Sequence, residues 1–107
     1  FLSVLLKGGD RVKEIIDVIA LEKKIEERAA AERAMVAKNL KAIREYKKLS
    51  QSEVAERCAM SDRRYGEIER GEANFTLETR VKLCVGLGIT PYELFGDLVI
   101  EPASSDD

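Results

Sequence analysis

The chain has 107 residues and a formal net charge of −2; 45% of it is hydrophobic and 36% charged. That length accommodates one domain with one modest core, and no apolar run approaches the roughly 18 residues needed to cross a bilayer. With no histidine, no Gly-rich phosphate loop and no carboxylate pair framed for a pocket, the composition argues against an enzyme and for no cofactor.

Taken in chain order, Phe1–Leu6 (FLSVLL) is too short for a span and lacks the basic front and cleavage site of a signal peptide. The start at Phe1 is read as that of a processed or truncated chain. Asp10 can cap a helix after the Gly8–Gly9 break. From Arg11 to about Lys48 there is neither Gly nor Pro, and Val12, Ile15, Ile16, Ile19, Ile25, Ala29, Val36, Leu40 and Ile43 recur at helical spacing. The stretch Glu22–Ala34 has strong helix propensity and little to bury. Two readings stand: one long helix acting as an arm, or a break near Ala34–Lys38 with the first part folding back. Heptads are poor. The apolar face of Val12–Leu21 should be buried in this chain or, preferably, in a partner. Arg28 and Arg33 are read as a solvated face.

Punctuation is clearer from Leu49 onward. Ser50–Glu53 forms a capping box, with Leu49 and Val54 as its hydrophobic staple. Ser61 caps the next helix, stapled by Met60 and Tyr65, and Gly71 ends it where a left-handed residue is wanted. Thr76 opens a helix running to about Gly86–Gly88. Thr90–Glu93 is a second capping box, with Pro91 in the first turn and Ile89 and Leu94 as staple. The expected helices are therefore about 35–47, 51–58, 62–69, 77–86 and 91–96. Residues 98–107 form an acidic tail expected to be disordered.

Cys58 and Cys84 sit at apolar helical positions without CxxC spacing or histidine, so they are read as core residues and no metal is expected. Two unpaired thiols and no export signal point to the cytoplasm. From Lys38 to Glu72 there are nine Lys/Arg and seven Asp/Glu, a net of +2, so the other segments carry −4. That distribution allows a phosphate-facing surface without strongly favouring one.

On a helical wheel for Asp62–Arg70, Tyr65 and Ile68 fall on one side. Asp62, Arg63, Gly66, Glu67 and Arg70 form a stripe roughly opposite, flanked by Arg64 and Glu69. Gly66 weakens the helix by roughly 1 kcal/mol relative to Ala. Its place at the centre of the stripe points to close approach of the backbone to something bulky.

The run Leu49–Gly71 resembles the helix-turn-helix of the Cro and phage-repressor (XRE-type) family. The residues that carry the resemblance are Ser50, Gln51, Val54, Ala55, Ser61, Ile68, Glu69 and Gly71. It continues through Leu77, Leu83, Leu87, Gly88, Ile89 and Leu94–Phe95, covering roughly Val36–Phe95. The fold it implies is all-α: a five-helix lambda-repressor-like DNA-binding domain over 35–97, preceded by a helical extension over 1–34 that is a candidate dimerisation arm. The implied partner is double-stranded DNA, bound as a homodimer, with no membrane association. Asp62, Arg63, Gly66 and Glu67 would face base edges; Arg63 pairs bidentately with guanine and the carboxylates accept from cytosine. Gln51, Ser61, Arg64, Arg70 and Asn74 would contact phosphates. Arg44 and Glu69 would form a structural pair.

The sequence departs from the family pattern in three ways. Ala59 stands where the turn usually has glycine, so the turn must accept a side chain or bend differently. Arg80 replaces a usual leucine, which should weaken packing of its helix. Two carboxylates lie on the recognition face, where they repel phosphate. The alternative function is a protein-interaction adaptor or antitoxin whose N-terminal helix binds a partner protein.

Overall fold

The computed structural model describes residues 11–74 and 76–96. The Asp10 cap, the Phe1–Leu6 run and the acidic tail lie outside the described residues. Among the described residues five helices follow one another: α1 (Arg11–Tyr46), α2 (Gln51–Arg57), α3 (Asp62–Glu69), α4 (Leu77–Leu87) and α5 (Pro91–Phe95). The described residues contain no strand. The choice left open by the sequence resolves toward continuity: α1 is one helix of 36 residues, and there is no break at Ala34–Lys38. The chain divides into two compact units between Ala31 and Glu32.

In the first unit, α1 leaves most of its apolar residues exposed, with Val18 and Ala29 half-buried. Val12, Ile16, Ile19 and Ile25 are all more than half exposed. The face expected to be buried therefore finds no cover among the described residues of this chain.

In the second unit, the core is built from Val36, Leu40 and Ile43 of α1, Val54 and Ala55 of α2, Cys58 just after it, Tyr65 and Ile68 of α3, Leu83 and Leu87 of α4, and Leu94 of α5. Cys58 is a core residue, as its spacing predicts, and burial pushes its thiol pKa up. Among the described residues Asn39 is the one buried polar residue. Its amide donates to the carbonyls of Leu94 (2.9 Å) and Gly96 (2.8 Å), satisfying the end of α5 and fastening that short helix to α1.

Every helix after the first starts on a hydroxyl cap. Ser50, Ser61, Thr76 and Thr90 accept from the backbone amides of Glu53, Arg64, Thr79 and Glu93. Both capping boxes close, with Glu53 and Glu93 reaching back to the amides of Ser50 and Thr90. Four helices end on a left-handed residue: Lys48 (φ 59°), Ala59 (φ 56°), Gly71 (φ 75°) and Gly88 (φ 67°). At each, the following amide bonds back across the last turn, from Leu49 to Arg44, Met60 to Ala55, Glu72 to Glu67 and Ile89 to Cys84, all at 3.0 Å. The turn thus keeps its left-handed residue at Ala59 and carries the strain of a Cβ there, which costs about 1–2 kcal/mol.

Helix α4 runs one residue past the expected end at Gly86 and stops at Gly88. Gly86 is instead a contact point. A Cβ there would sit 2.6 Å from Cys58 Sγ and 2.7 Å from the Arg57 carbonyl oxygen, so α4 lies against the end of α2 through bare backbone. Arg80 leaves its Nε buried without a hydrogen-bond partner, the physical cost of arginine at this position.

Candidate nucleic-acid interface

The pair α2 and α3 is held to α1 by one carboxylate. Glu69, at the last position of α3, has a side chain only 4% exposed. It accepts four bonds: from Arg44 Nε (2.8 Å) and Nη2 (2.9 Å), from Gln51 Nε2 (2.9 Å) and from the Tyr65 hydroxyl (2.5 Å). Arg44 also donates to the Leu49 carbonyl at 3.1 Å. Glu69 and Arg44 together thereby join α1, the α1–α2 loop, α2 and α3. Burial alone would raise the Glu69 pKa, but the bonds from Arg44, Tyr65 and Gln51 hold it below the ordinary carboxylate value. The bond to Glu69 raises the Arg44 pKa, and burial raises that of the Tyr65 phenol.

With Tyr65 and Ile68 buried, α3 turns its polar stripe outward. Arg63 projects from it with its side chain 89% exposed. Its Nε lies 3.4 Å from Glu67 Oε2, one helical turn on, and Glu67 is 32% exposed. Asp62 accepts from the Ser52 hydroxyl at 2.9 Å, which ties the start of α3 to α2. Gly66 is buried and not open at the centre of the stripe. The bulky group near it is Arg70, the residue that caps the end of α3, whose Nη1 would lie 3.1 Å from a Cβ at Gly66. Arg70 also pairs with Glu72 at 3.0 Å.

The residues read as phosphate contacts lie around this stripe but are also engaged internally. Gln51 is exposed and bound to Glu69; Ser61 is exposed and spends its oxygen on the Arg64 amide. Arg64 Nη2 donates to the Asn74 carbonyl at 3.0 Å. Asn74 Oδ1 accepts from Arg33 Nη1 at 2.7 Å, so Arg33 is not the merely solvated residue its place on α1 implied. The sequence gives no local signal for that contact, because the two residues are 41 positions apart. Lys82 reaches from α4 to the Ala59 carbonyl at 3.4 Å, supporting the turn between α2 and α3.

Among the described residues, no group of three His, Cys, Asp or Glu side chains is placed to hold a metal ion, and no helix is long and apolar enough to cross a membrane.

Comparison with known proteins agrees with this architecture. No curated protein matches the sequence. The crystal structure of a hypothetical transcription factor, NHTF, from Neisseria is similar over 69% of this chain and 79% of that one, with 28% sequence identity and a TM-score of 0.57. A helix-turn-helix family model matches residues 40–94, which takes in the end of α1, the Glu69 network and all of α2, α3 and α4. The chain belongs to the Cro/C1-type helix-turn-helix family, the XRE family.

Proposed function

We propose that this protein is a sequence-specific DNA-binding transcriptional regulator that inserts α3 into the major groove. The observation that carries the reading is the division of α3: Tyr65, Ile68 and Glu69 lock it to the domain, while Arg63 projects into solvent from the opposite stripe. A rigidly held helix with an exposed arginine near its start is suited to base readout, since arginine recognises guanine O6 and N7 bidentately. Arg63 is the principal base reader, with Asp62 and Glu67 beside it as acceptors and Gly66 within the same stripe. Gln51, Ser61, Arg64, Arg70 and Asn74 contact phosphates around it. Their internal bonds, formed at exposed positions, give way to or coexist with phosphate contacts at small cost. The protein acts in the cytoplasm as a homodimer on a palindromic operator, with one recognition helix per half-site about one DNA turn apart.

A second reading draws on the exposed Val12, Ile16, Ile19 and Ile25 of α1, an apolar face suited to a protein partner. In an adaptor or antitoxin, that face would bind the partner while the helix-turn-helix supplied or lost DNA contact.

Selecting bound sites from random duplexes at two salt concentrations separates the two. Enrichment of a palindrome is expected. Binding that enriches no sequence and disappears at moderate salt would remove the operator reading and leave the adaptor.

A further inference from the structure

The loop after the recognition helix, Gly71–Asn74, is gripped from two sides. Arg64 of α3 donates through Nη2 to the Asn74 carbonyl oxygen at 3.0 Å, and Arg33 of α1 donates through Nη1 to Asn74 Oδ1 at 2.7 Å. The loop turns at Gly71 (φ 75°) and passes beside α1: a Cβ there would meet the Arg33 carbonyl oxygen at 3.7 Å and Ala34 Cα at 3.8 Å, ordinary contact distances. Asn74 therefore brings together one guanidinium from the recognition helix and one from a helix 41 residues upstream.

This arrangement has a chemical direction. With Oδ1 occupied by Arg33, the Asn74 amide turns its other end, an NH2 with two donors, away from α1. Arg64 commits one nitrogen to the loop and keeps further N–H donors. Its bond is to a neutral carbonyl, so its charge is not cancelled by a carboxylate there. Asn74 itself is exposed. What converges on Asn74 is a set of N–H donors and positive charge, complementary to an oxyanion, while the one carboxylate of the loop, Glu72, is taken up by Arg70 at 3.0 Å.

Resting on the DNA-binding reading above, we propose that Arg33, Arg64 and Asn74 form a clamp for one phosphate of the DNA backbone beside the recognition helix. Arg33 is its positioning residue: it fixes the Asn74 amide donor-outward and adds charge from α1, so the footprint on DNA extends beyond the helix-turn-helix onto the long helix. The contact reads no base. It sets the register of α3 in the groove and contributes equally on all sequences.

The test uses the full chain with two substitutions, Asn74→Asp and Arg33→Ala. Affinity is measured on the selected site and on a mixed-sequence duplex over a series of salt concentrations, with thermal melting alongside. Asn74→Asp is nearly isosteric and strengthens an internal bond to Arg33, so a clasp that merely holds the loop would tolerate it. A phosphate clamp would not, because a carboxylate now faces the oxyanion. The expected result is binding roughly tenfold weaker on both duplexes with an unchanged melting temperature. Arg33→Ala should lower the slope of log affinity against log salt by about 0.9, the value for one phosphate contact on B-form DNA. Unchanged affinity in Asn74→Asp, or an unchanged salt slope in Arg33→Ala, would overturn the clamp while leaving the regulator reading intact. Failure of the unsubstituted protein to bind either duplex would overturn that reading first, and the clamp with it.

Discussion

The two ends of α1 are parts of one helix with similar apolar content and opposite fates. Val36, Leu40 and Ile43 are nearly or wholly inaccessible, whereas Val12, Ile16 and Ile19 stand more than half in solvent. Spacing makes both ends look amphipathic. What separates them is that α2, α3, α4 and α5 supply apolar partners to the C-terminal end, while the described residues supply nothing comparable to the N-terminal end. An apolar stripe on a helix thus signals the need for a partner and does not say which molecule provides it.

The contrast can be tested by removing side chains from each end. Leu40→Ala should cost about 3–4 kcal/mol, because Leu40 is completely buried and its loss leaves a cavity. Ile19→Ala, at 58% exposure, should change stability by less than about 0.5 kcal/mol in dilute protein. Chemical denaturation measures both. A cost above about 1 kcal/mol for Ile19→Ala that grows with protein concentration would show that this face is covered by a second copy.

The link between the C-terminal end of α1 and α3 is the next place to break the packed region. Glu69→Ala strands the Arg44 guanidinium in a largely buried site and frees the Tyr65 hydroxyl, for an expected loss of about 3 kcal/mol. The same carboxylate gives a pH signature. Its pKa is lower folded than unfolded, so the stability it contributes is present above the ordinary carboxylate value of about 4.3 and is lost as pH falls through that value toward the folded one. Glu69→Gln should flatten this acid limb in melting experiments at pH 3 to 6, a range set by that about 4.3 reference.

Smaller effects probe the supports around α2. Gly86→Ala inserts a Cβ against Cys58 Sγ and the Arg57 carbonyl and should destabilise by about 1–2 kcal/mol, even though alanine favours helix. Ala59→Gly should do the reverse. Relief of a left-handed Cβ outweighs the added freedom of the unfolded chain, leaving a gain of about 0.5–1 kcal/mol in denaturant titration.

These residues also mark how far the sequence could be read. The starts of α2 to α5 were legible because each is written locally, in Ser50, Ser61, Thr76 and Thr90 with their following residues. Of the four left-handed stops, Gly71 was legible as one; Gly88 was legible only as the far limit of where α4 ends, Ala59 only through the family resemblance as a place where glycine is usual, and Lys48 not at all, since lysine does not mark such a conformation. The inner and outer sides of α3 followed from the 3.6-residue period. The bonds that engage its outer side did not: Ser52 to Asp62, Arg33 to Asn74 and the position of Arg70 over Gly66 depend on side-chain reach across a fold already formed. Asn39 was invisible for the same reason, because its acceptors lie 55 and 57 residues away.

In the proposed regulator, the exposed stripe of α3 reads sequence through Arg63. The direct measurement is the affinity of Arg63→Ala for the site selected by the unsubstituted protein and for a mixed-sequence duplex at the same salt. The expected result is a loss of about 1–3 kcal/mol on the selected site, relaxed preference at one base position and little change on the mixed duplex. An equal loss on both duplexes would make Arg63 a phosphate contact and contradict this reading.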